Sequence, residues 1–311
     1  MALTLVEAAK LMADDGQTIR AGVIAMYARA SDILQVLPMK NITGNAYAYN
    51  REGTLPSVAF RGVNESFTPS TGVINPLTEA LRLCGGDLDV DKFLIKTGGD
   101  GVRSTHEELK IKALAAEVTR VIVKGDSTTE PREFDGLQAR ITGDQLVTVG
   151  TTAAGDPLKL TSLDELIDTV SGLTHLLMNK TMRRRLTVAA RTPAVGGQID
   201  YKLDEFGKRI TMYAGIPIIT AYSDDGGTDP IAFDEEGHVA GTYTSTSIYG
   251  LALGDGLVSG LQNGIMDVRD LGEIDDSPVA RTRVEWYMGL CIEHGRAAGR
   301  LRGISNAVVV V

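Results

Sequence analysis

A long amphipathic segment followed by a polar loop constrains the fold of this chain more than any other feature. Ser104 or Thr105 can cap the start of a helix, with a glutamate three residues later, as in a capping box. Gly125 is a helix terminator placed just after the last turn. Between these ends, apolar residues recur every three or four positions, at Leu109, Ile111, Leu114, Ala115, Val118, Val121 and Ile122. The pattern predicts a helix over about residues 104–124, a rod of roughly 30 Å.

The segment that leaves this rod, Lys124–Thr142, has the sequence KGDSTTEPREFDGLQARIT. It holds a polar loop with a proline, then Phe134 and an Asp135-Gly136 pair that predicts a turn. Residues 137–146 are predicted to be extended. Since no catalytic group is evident in it, the segment indicates a mechanical joint between the rod and the next part of the fold.

Residues 39–75 predict a β-hairpin. Apolar and aromatic residues alternate with polar ones on both sides of a turn at residues 51–53. The alternating residues are Tyr47, Tyr49, Val58 and Phe60. A two-stranded hairpin is marginally stable alone in water, so it is either the edge of a larger sheet or a hairpin that projects from the body. No third strand follows at once, and a projecting hairpin is at least as well supported.

The flanking segments complete a mixed pattern. Residues 3–37 have apolar residues at roughly helical spacing and predict two short helices, or a helix and a loose arm, ending at Pro38. Pro76 predicts the start of a short helix closed by Gly85-Gly86, and a strand through Phe93 and Ile95 is predicted next.

Beyond the joint, helices and strands are mixed. TSLDELIDTV predicts a helix capped by Ser162 with Glu165, and THLLMNKTMRRRLTVAAR predicts a strand followed by a basic helix. KRITMYAGIPIITAY predicts two strands joined at a Gly-Ile-Pro turn. Strands are also predicted in TSTSIYGLALGDG, GIMDVRDLGEI and VARTRVEWYMGLCI. Because there is no regular βαβ alternation, we predict an α+β fold.

Charge and composition exclude several classes of protein. A net charge of −9 argues against nucleic-acid binding as the main role, since such proteins carry a basic excess. No apolar run approaches the roughly 18 residues that span a membrane, and the N-terminus is acidic where a signal peptide is basic and then apolar. Cys84 and Cys291 form no CxxC motif, which predicts two unpaired thiols in a reducing cytoplasm. We therefore expect a protein that stays inside the cell that makes it.

Patterns that would indicate chemistry are weak. The histidines stand far apart, at His106, His175, His238 and His294. The glycines of residues 254–260 miss the dinucleotide fingerprint by one position. Asp87, Asp89 and Asp91 alternate on one predicted strand face, but without the glycine and distal glutamate of a calcium loop, which favours a solvated face. We predict no catalytic residue, no metal site and no cofactor.

The order of these parts resembles the major capsid proteins of tailed bacteriophages, which have the Hong Kong 97-type fold, and the siphovirus members most closely. The segment PMKNITGNAYAYNREGTLPSVAFR matches the extension loop, and EELKIKALAAEVTRVIVKGDSTTEPREFDGLQARI matches the spine helix and its exit. LDELIDTVSGLTHLLMNKTMRRRL and YAGIPIIT match the axial domain. In the joint, the resemblance implies that Phe134 packs back on the rod and that Asp135-Gly136 makes the turn.

The resemblance also implies how the chain divides. An N-terminal arm would occupy residues 1–38 and an extension loop residues 39–75. A peripheral domain would combine residues 76–147 and 270–293, with the spine helix at about 104–124. An axial domain would combine residues 148–269 and 294–311.

The function implied is structural and not enzymatic. Such a protein assembles into pentamers and hexamers of an icosahedral shell that encloses double-stranded phage DNA, is built in the host bacterial cytoplasm and ends in the virion. The implied partners are further copies of the chain, a portal protein, a separate scaffolding protein, a decoration protein in some phages, and DNA through weak non-specific contact, with no membrane. Some relatives form a covalent Lys–Asn crosslink, but beyond Lys40 near the hairpin no match is found, so we do not carry that activity over.

The candidates for contact between subunits lie in the hairpin and in the basic run MRRRL. They are Tyr47, Tyr49, Arg51, Val58, Phe60, Phe67, Arg183, Arg184 and Arg185. Two alternatives stay open. One is the shell protein of an encapsulin-type cytoplasmic compartment, which has an enzyme cargo and no portal or tail. The other is an unrelated α+β enzyme whose site is scattered along the sequence, which would form a small oligomer and not a particle.

Overall fold

The computed structural model describes residue 4 and residues 31–98, 100–192, 197, 199–203, 209–221, 229–239, 241–274 and 277–310. The side chains of residue 98 and residues 100–105 are not among those described. The prediction of an N-terminal arm over residues 1–38 therefore lies mostly outside the described residues. The predicted cap at Ser104 or Thr105 is wrong, because both residues lie inside a helix that begins at Asp100.

The described residues form both helices and strands. The helices are α1 Asp32–Val36, α2 Lys92–Gly98, α3 Asp100–Lys124, α4 Leu137–Arg140, α5 Leu160–Thr169 and α6 Lys180–Ala189, with a 3-10 turn at Gly143–Gln145. The first strands are β1 Met39–Asn41, β2 Ala46–Thr54, β3 Val73–Ala80, β4 Arg82–Asp91, β5 Leu146–Thr148, β6 His175–Met178 and β7 Ile199–Leu203. The others are β8 Arg209–Tyr213, β9 Ile216–Thr220, β10 Glu235–Glu236, β11 Tyr243–Leu251, β12 Val258–Gln262, β13 Asp267–Ile274, β14 Ser277–Ile292 and β15 Ala298–Ser305. Within this part of the chain, no helix is both long enough and apolar enough to cross a membrane.

The strands form two sheets and a separate hairpin. A five-stranded sheet has the order β1-β12-β14-β13, and β4 also pairs with the long strand β14. An eight-stranded sheet has the order β5-β15-β11-β6-β9-β8-β7, and β10 pairs with β11. β2 and β3 pair only with each other. Helices and strands combine in the α+β arrangement that the sequence predicts, while the predicted domain boundaries stay a prediction.

The predicted rod is α3, which starts four residues earlier than expected and ends at Lys124. Its apolar stripe is buried, with Ala115 and Ile122 almost fully covered, and it packs along β4 of the five-stranded sheet. Leu109 is the exception, since 57% of its surface is exposed. The buried stripe therefore begins one turn later than the sequence pattern indicates.

The joint after α3 is a close approach of two backbone segments at glycines. The Gly136 N–H donates to the Gly125 carbonyl oxygen at 2.8 Å, and Phe134 is buried in the same core as the rod. A Cβ atom at Gly125 would lie 2.4 Å from the Phe134 carbonyl oxygen, so only glycine fits there. The turn itself spans residues 127–133 and not Asp135-Gly136, which precedes α4. The extended segment predicted for residues 137–146 is also wrong, because α4 and the 3-10 turn occupy it.

The helix predicted from Pro76 is a strand. β3 carries the returning arm of the hairpin to Ala80, so the hairpin extends beyond the predicted limit at residue 75, and β4 follows directly. Proline is tolerated here because β3 is an edge strand. Gly85, predicted to end the helix, instead lets β4 approach β14, since its Cβ would lie 2.4 Å from the Val284 carbonyl oxygen. The strand predicted through Phe93 and Ile95 is α2.

Two clusters of buried apolar side chains lie on opposite faces of the eight-stranded sheet. Within β6, Leu176 belongs to one cluster and Leu177 to the other, as expected when successive side chains of a strand point to opposite faces. The helices α5 and α6 cover the Leu176 face, whereas the stripe of α3 belongs to the Leu177 side. The predictions of a strand followed by a basic helix and of two joined strands are confirmed by β6 with α6 and by β8 with β9. Ser162 does not cap α5, because it lies inside the helix, which begins after Lys159.

Candidate assembly surface

The base of the hairpin is fixed to the body of its own subunit. Tyr49 is 8% exposed and packs with Leu261 and Cys291 in a small apolar cluster. Its hydroxyl donates to the Ile292 carbonyl oxygen at 3.2 Å, at the end of β14. Arg51 donates from Nε to the Glu293 carbonyl oxygen at 3.3 Å. β2 is therefore anchored on the five-stranded sheet.

A charged cluster adds to this anchor. Lys40 Nζ lies 2.7 Å from Tyr47 Oη, 3.0 Å from Glu293 Oε1 and 3.2 Å from Asp255 Oδ1. Burial alone would lower the pKa of Lys40, but the hydrogen bonds to Tyr47, Glu293 and Asp255 outweigh it and hold the pKa above its ordinary value. The ammonium group therefore stays charged and links β1, the hairpin and the end of β14.

The other strand of the hairpin is tied to the joint. Arg140 of α4 forms an ion pair with Glu79 of β3, with 2.6 Å between Arg140 Nη2 and Glu79 Oε2. Both side chains are largely buried, and Glu79 also accepts from the Tyr49 hydroxyl at 3.2 Å. The hairpin base thus contacts the sheet on one side and the segment after the rod on the other.

These contacts involve three of the predicted candidates for contact between subunits. Tyr47, Tyr49 and Arg51 all bind groups of their own subunit, and their contact with a neighbouring subunit stays a prediction. Their partners Glu79 and Glu293 lie far away in sequence, and nothing local marks them as partners. The alternation of Tyr47 and Tyr49 identifies a strand correctly, but it does not show what the strand packs on.

The tip of the hairpin, residues 55–72, is exposed, whereas the base is fixed to the body of the subunit. It forms no strand, so the strand predicted through Val58 and Phe60 is wrong. Its large apolar side chains are bare: Leu55, Val58, Phe60, Val63 and Phe67. Phe60 is fully exposed, and Phe67 keeps 61% of its surface exposed although the Arg61 guanidinium lies 5.3 Å from its ring centroid. Nothing else in the described part of the chain covers them, so Val58, Phe60 and Phe67 stay candidates for contact between subunits.

The basic run lies on α6 and divides into two roles. Arg185 is held within its own subunit, donating from Nε and Nη2 to Asn306 Oδ1 at 3.0 and 2.6 Å. Arg184 is exposed and Arg183 half-buried, and neither forms an ion pair with a described residue. The predicted contact with carboxylates of a neighbour therefore stays a prediction for Arg183 and Arg184, whereas Arg185 is engaged internally.

The aspartates of β4 form ion pairs along the outer face of the five-stranded sheet. Arg283 Nε lies 2.6 Å from Asp87 Oδ1, and Arg281 Nε lies 2.6 Å from Asp89 Oδ1. The hydrogen bonds from these guanidinium groups hold the pKa of both carboxyl groups below the ordinary value. Across the described residues, no cluster of histidine, cysteine, aspartate or glutamate could hold a metal ion. The face is exposed to solvent, as the sequence predicts, and Asp87 and Asp89 form a ladder of ion pairs with arginines of β14 there.

The two cysteines and His175 lie in surroundings that shift their pKa values. Cys84 and Cys291 are both free, as predicted. Burial raises the pKa of the Cys84 thiol to about 11 and that of Cys291 to about 12, with further contributions from Glu117 and Glu293 respectively. Burial likewise lowers the pKa of His175 to about 4. The thiols are therefore protonated and poor nucleophiles at neutral pH.

Comparison with known proteins gives a match to one family model and several solved structures of the same fold. Residues 14–163 match the family model described as major capsid protein GP7. No curated protein sequence matches the chain. These solved structures share the fold over nearly the whole chain, and among them are the following three. The chain of an encapsulin complex from Synechococcus elongatus PCC 7942 has a TM-score of 0.62 and 18% identity, covering 90% of this chain and 89% of that chain.

The other two are viral or particle structures. A chain from Mycobacterium phage Bobi has a TM-score of 0.60 and 13% identity, covering 91% of both chains. A chain from the capsid of an empty GTA particle has a TM-score of 0.58 and 13% identity, covering 88% of this chain and 90% of that chain. The fold implied by the resemblance drawn from the sequence is thereby confirmed: this chain has the Hong Kong 97-type fold, and residues 14–163 are similar to the major capsid protein family.

Proposed function

We propose that this chain assembles into the pentamers and hexamers of an icosahedral capsid that encloses double-stranded DNA. The observation that carries the proposal is the contrast within the hairpin. Its base is fixed by Tyr49 and the Lys40 cluster, whereas its tip presents bare apolar side chains to solvent. Exposed apolar groups of this kind mark a site of protein contact. A neighbouring subunit that lies under the tip would cover them.

The free energy of burying apolar side chains favours the tip as the main contact between subunits. Burying a valine or phenylalanine side chain contributes roughly 1.5–3 kcal/mol, before the cost of ordering the chain is subtracted. An exposed ion pair contributes only about 0.2–1 kcal/mol. Several tip side chains buried together therefore outweigh the surface ion pairs of the same subunit.

The partners follow from the proposed shell. They are further copies of the chain, a portal protein, a separate scaffolding protein and, in some phages, a decoration protein. Contact with the enclosed DNA would be weak and non-specific, because a protein with a net charge of −9 repels a polyanion over most of its surface.

An encapsulin-type compartment is the second candidate, and the likeness to the Synechococcus elongatus encapsulin complex favours it. Such a shell would hold an enzyme cargo and would lack portal and tail. The fold favours either kind of shell over an unrelated enzyme.

The contents of the particle separate the two shells. The full-length protein would be purified from the cells that make it, imaged by electron microscopy and sized by chromatography. We expect capsomers or closed particles, with nuclease-protected double-stranded DNA in the filled ones. Particles filled with a folded enzyme would favour the compartment. A small oligomer of fixed size, with no particle under any condition, would contradict both.

A further inference from the structure

A groove of about 600 Å³ lies where the end of α3 and the joint meet the eight-stranded sheet. More carboxylates than cations line it. Lys124 Nζ lies 2.6 Å from Asp234 Oδ1, and Arg120 pairs with Glu133. Three further carboxylates at the groove form no ion pair with a described residue, against one such cation, Arg302. The groove is therefore negative after its internal pairs are counted.

The unpaired carboxylates lie on the joint and on β10. They are Asp126, Glu130 and Glu236. Glu130 is exposed, and its side chain has no hydrogen bond to any described residue. Glu236 is also exposed and accepts only neutral donors, such as the Gly241 N–H at 3.2 Å. We call these three residues the acidic rim.

A buried carboxylate in the groove also lacks a donor. Glu235 is 5% exposed, and its Oε2 accepts from Arg300 Nη2 at 2.7 Å and from the Ser247 hydroxyl. Its Oε1 has no hydrogen-bond partner among the described residues. A buried acceptor without a donor is costly, so the groove favours a ligand that brings N–H groups and positive charge.

The helix α6 offers that chemistry on another part of the subunit. Arg183 and Arg184 are the residues of the basic run that no described carboxylate pairs with. Each guanidinium carries several N–H donors that suit carboxylates. A second copy of the chain would therefore supply the missing charge.

The two surfaces lie on opposite faces of the eight-stranded sheet. Met182 and Leu186 of α6 share a core cluster with Leu301 of β15. Arg300, the residue before Leu301, lines the groove and therefore points to the other face. Arg183 and Arg184 thus cannot reach the groove of their own subunit. Two copies placed side by side, with the same orientation around an axis, can bring α6 of one to the groove of the next.

We propose that Arg183 and Arg184 of one subunit bind the acidic rim of the adjacent subunit, as a head-to-tail contact within the capsomer. The inference rests on the proposed shell function and adds the partner of α6. Head-to-tail contacts between unlike surfaces close into rings when the rotation from one copy to the next closes, and a pentamer or hexamer requires such a ring. The contact is separate from the hairpin tip, since the two involve different residues.

Charge reversal in two separate variants tests the contact. The helix variant combines Arg183→Glu with Arg184→Glu, and the rim variant combines Glu130→Lys with Glu236→Lys. Each alone places like charges opposite each other, and we expect subunit association to weaken roughly tenfold or more. A control that combines Lys96→Glu with Lys202→Glu makes the same change of net charge as the helix variant at exposed lysines, and it should associate like the wild type.

Mixing the two variants is the decisive arm. Where the two variants alternate, a reversed helix meets a reversed rim and a native helix meets a native rim, so association into rings with an even number of subunits, such as hexamers, should return when they are combined in equal amounts. Native mass spectrometry measures the mixed oligomers, and circular dichroism checks that each variant is folded. Association of either folded variant at the wild-type level, or no recovery on mixing, would overturn the contact. If the wild-type chain itself formed no oligomer, the shell function would fail instead.

Discussion

Thr54 and Val73 lie directly opposite each other at the ends of β2 and β3. The tip between them therefore leaves and returns to the hairpin at one place. The backbone confirms how close the two ends are, because a Cβ atom at Gly72 would lie 3.2 Å from the Thr54 carbonyl oxygen. The tip can consequently be altered without disturbing the base, and the stability of the subunit can be separated from its assembly.

Tyr49 anchors the hairpin base, and its replacement should destabilise the subunit. Tyr49→Ala removes a buried aromatic ring, which costs about 3–5 kcal/mol in the free energy of unfolding. Tyr49→Phe keeps the ring and loses only the hydroxyl, whose single hydrogen is shared between the Ile292 carbonyl oxygen and the Glu79 carboxylate, a bond worth about 0.5–1.5 kcal/mol. Urea unfolding of both variants gives the comparison. Equal stability of Tyr49→Ala and wild type would mean that the base is not docked.

Gly125→Ala tests the joint. The added methyl would lie 2.5 Å from the Val121 carbonyl oxygen as well as against Phe134, so α3 or the joint must move. We expect a loss of roughly 1–3 kcal/mol in the free energy of unfolding. Gly295→Ala is the matched control, because the nearest atom to its new methyl is 3.9 Å away. The same loss in both variants, measured by thermal unfolding, would rule out close approach as the cause.

The sequence predicts the parts of this fold that local patterns determine. The stripe of α3 has one period over many turns, and β6, α6, β8 and β9 have clear boundaries. The patterns at Pro76 and Gly85 lead to a wrong prediction. Proline at a helix start has the same local sequence pattern as proline in an edge strand. Glycine at a helix end has the same local pattern as glycine where two strands approach closely. Pairing with β2 determines the strand at Pro76, and pairing with β14, about 200 residues later in the chain, determines the strand at Gly85.

The candidate assembly surface is likewise predicted only in part from the sequence. Alternation identifies the hairpin, and apolar composition marks its tip. The anchoring of Tyr47 by Glu293 depends on a contact between segments far apart in the chain, which no local pattern records. The acidic rim likewise combines the joint with β10.

The ladder of ion pairs on the five-stranded sheet predicts a response to acid. Arg283 keeps the pKa of Asp87 below its ordinary value of 3.8. The stabilisation is therefore present above about pH 4 and is lost as the pH falls through the lowered pKa. Arg283→Gln should be less stable than wild type near pH 6, with the difference shrinking toward pH 2. Urea midpoints across this range measure it, and a difference that grows on acidification would contradict the assignment.

The two thiols should take no part in assembly. With pKa values of about 11 and 12, Cys84 and Cys291 are almost fully protonated at pH 7 and should react slowly with alkylating reagents. Particles should form equally well with and without a reducing agent. A quantitative ladder of disulfide-linked subunits on non-reducing gels of intact particles would show that this view of the thiols is wrong.

Replacing the tip tests the central claim most directly. Residues 55–72 would be exchanged for an Asn-Gly turn that joins Thr54 to Val73, since this pair suits a tight hairpin turn. Ser70→Ala is the control, because it keeps every apolar side chain of the tip and removes only the hydrogen bond to the Ser57 carbonyl oxygen. Electron microscopy would count closed particles, and urea unfolding would check the subunit. We predict a folded, soluble subunit that forms no closed particle, while Ser70→Ala still assembles. Complete shells from the shortened chain, or an unfolded subunit, would contradict the account.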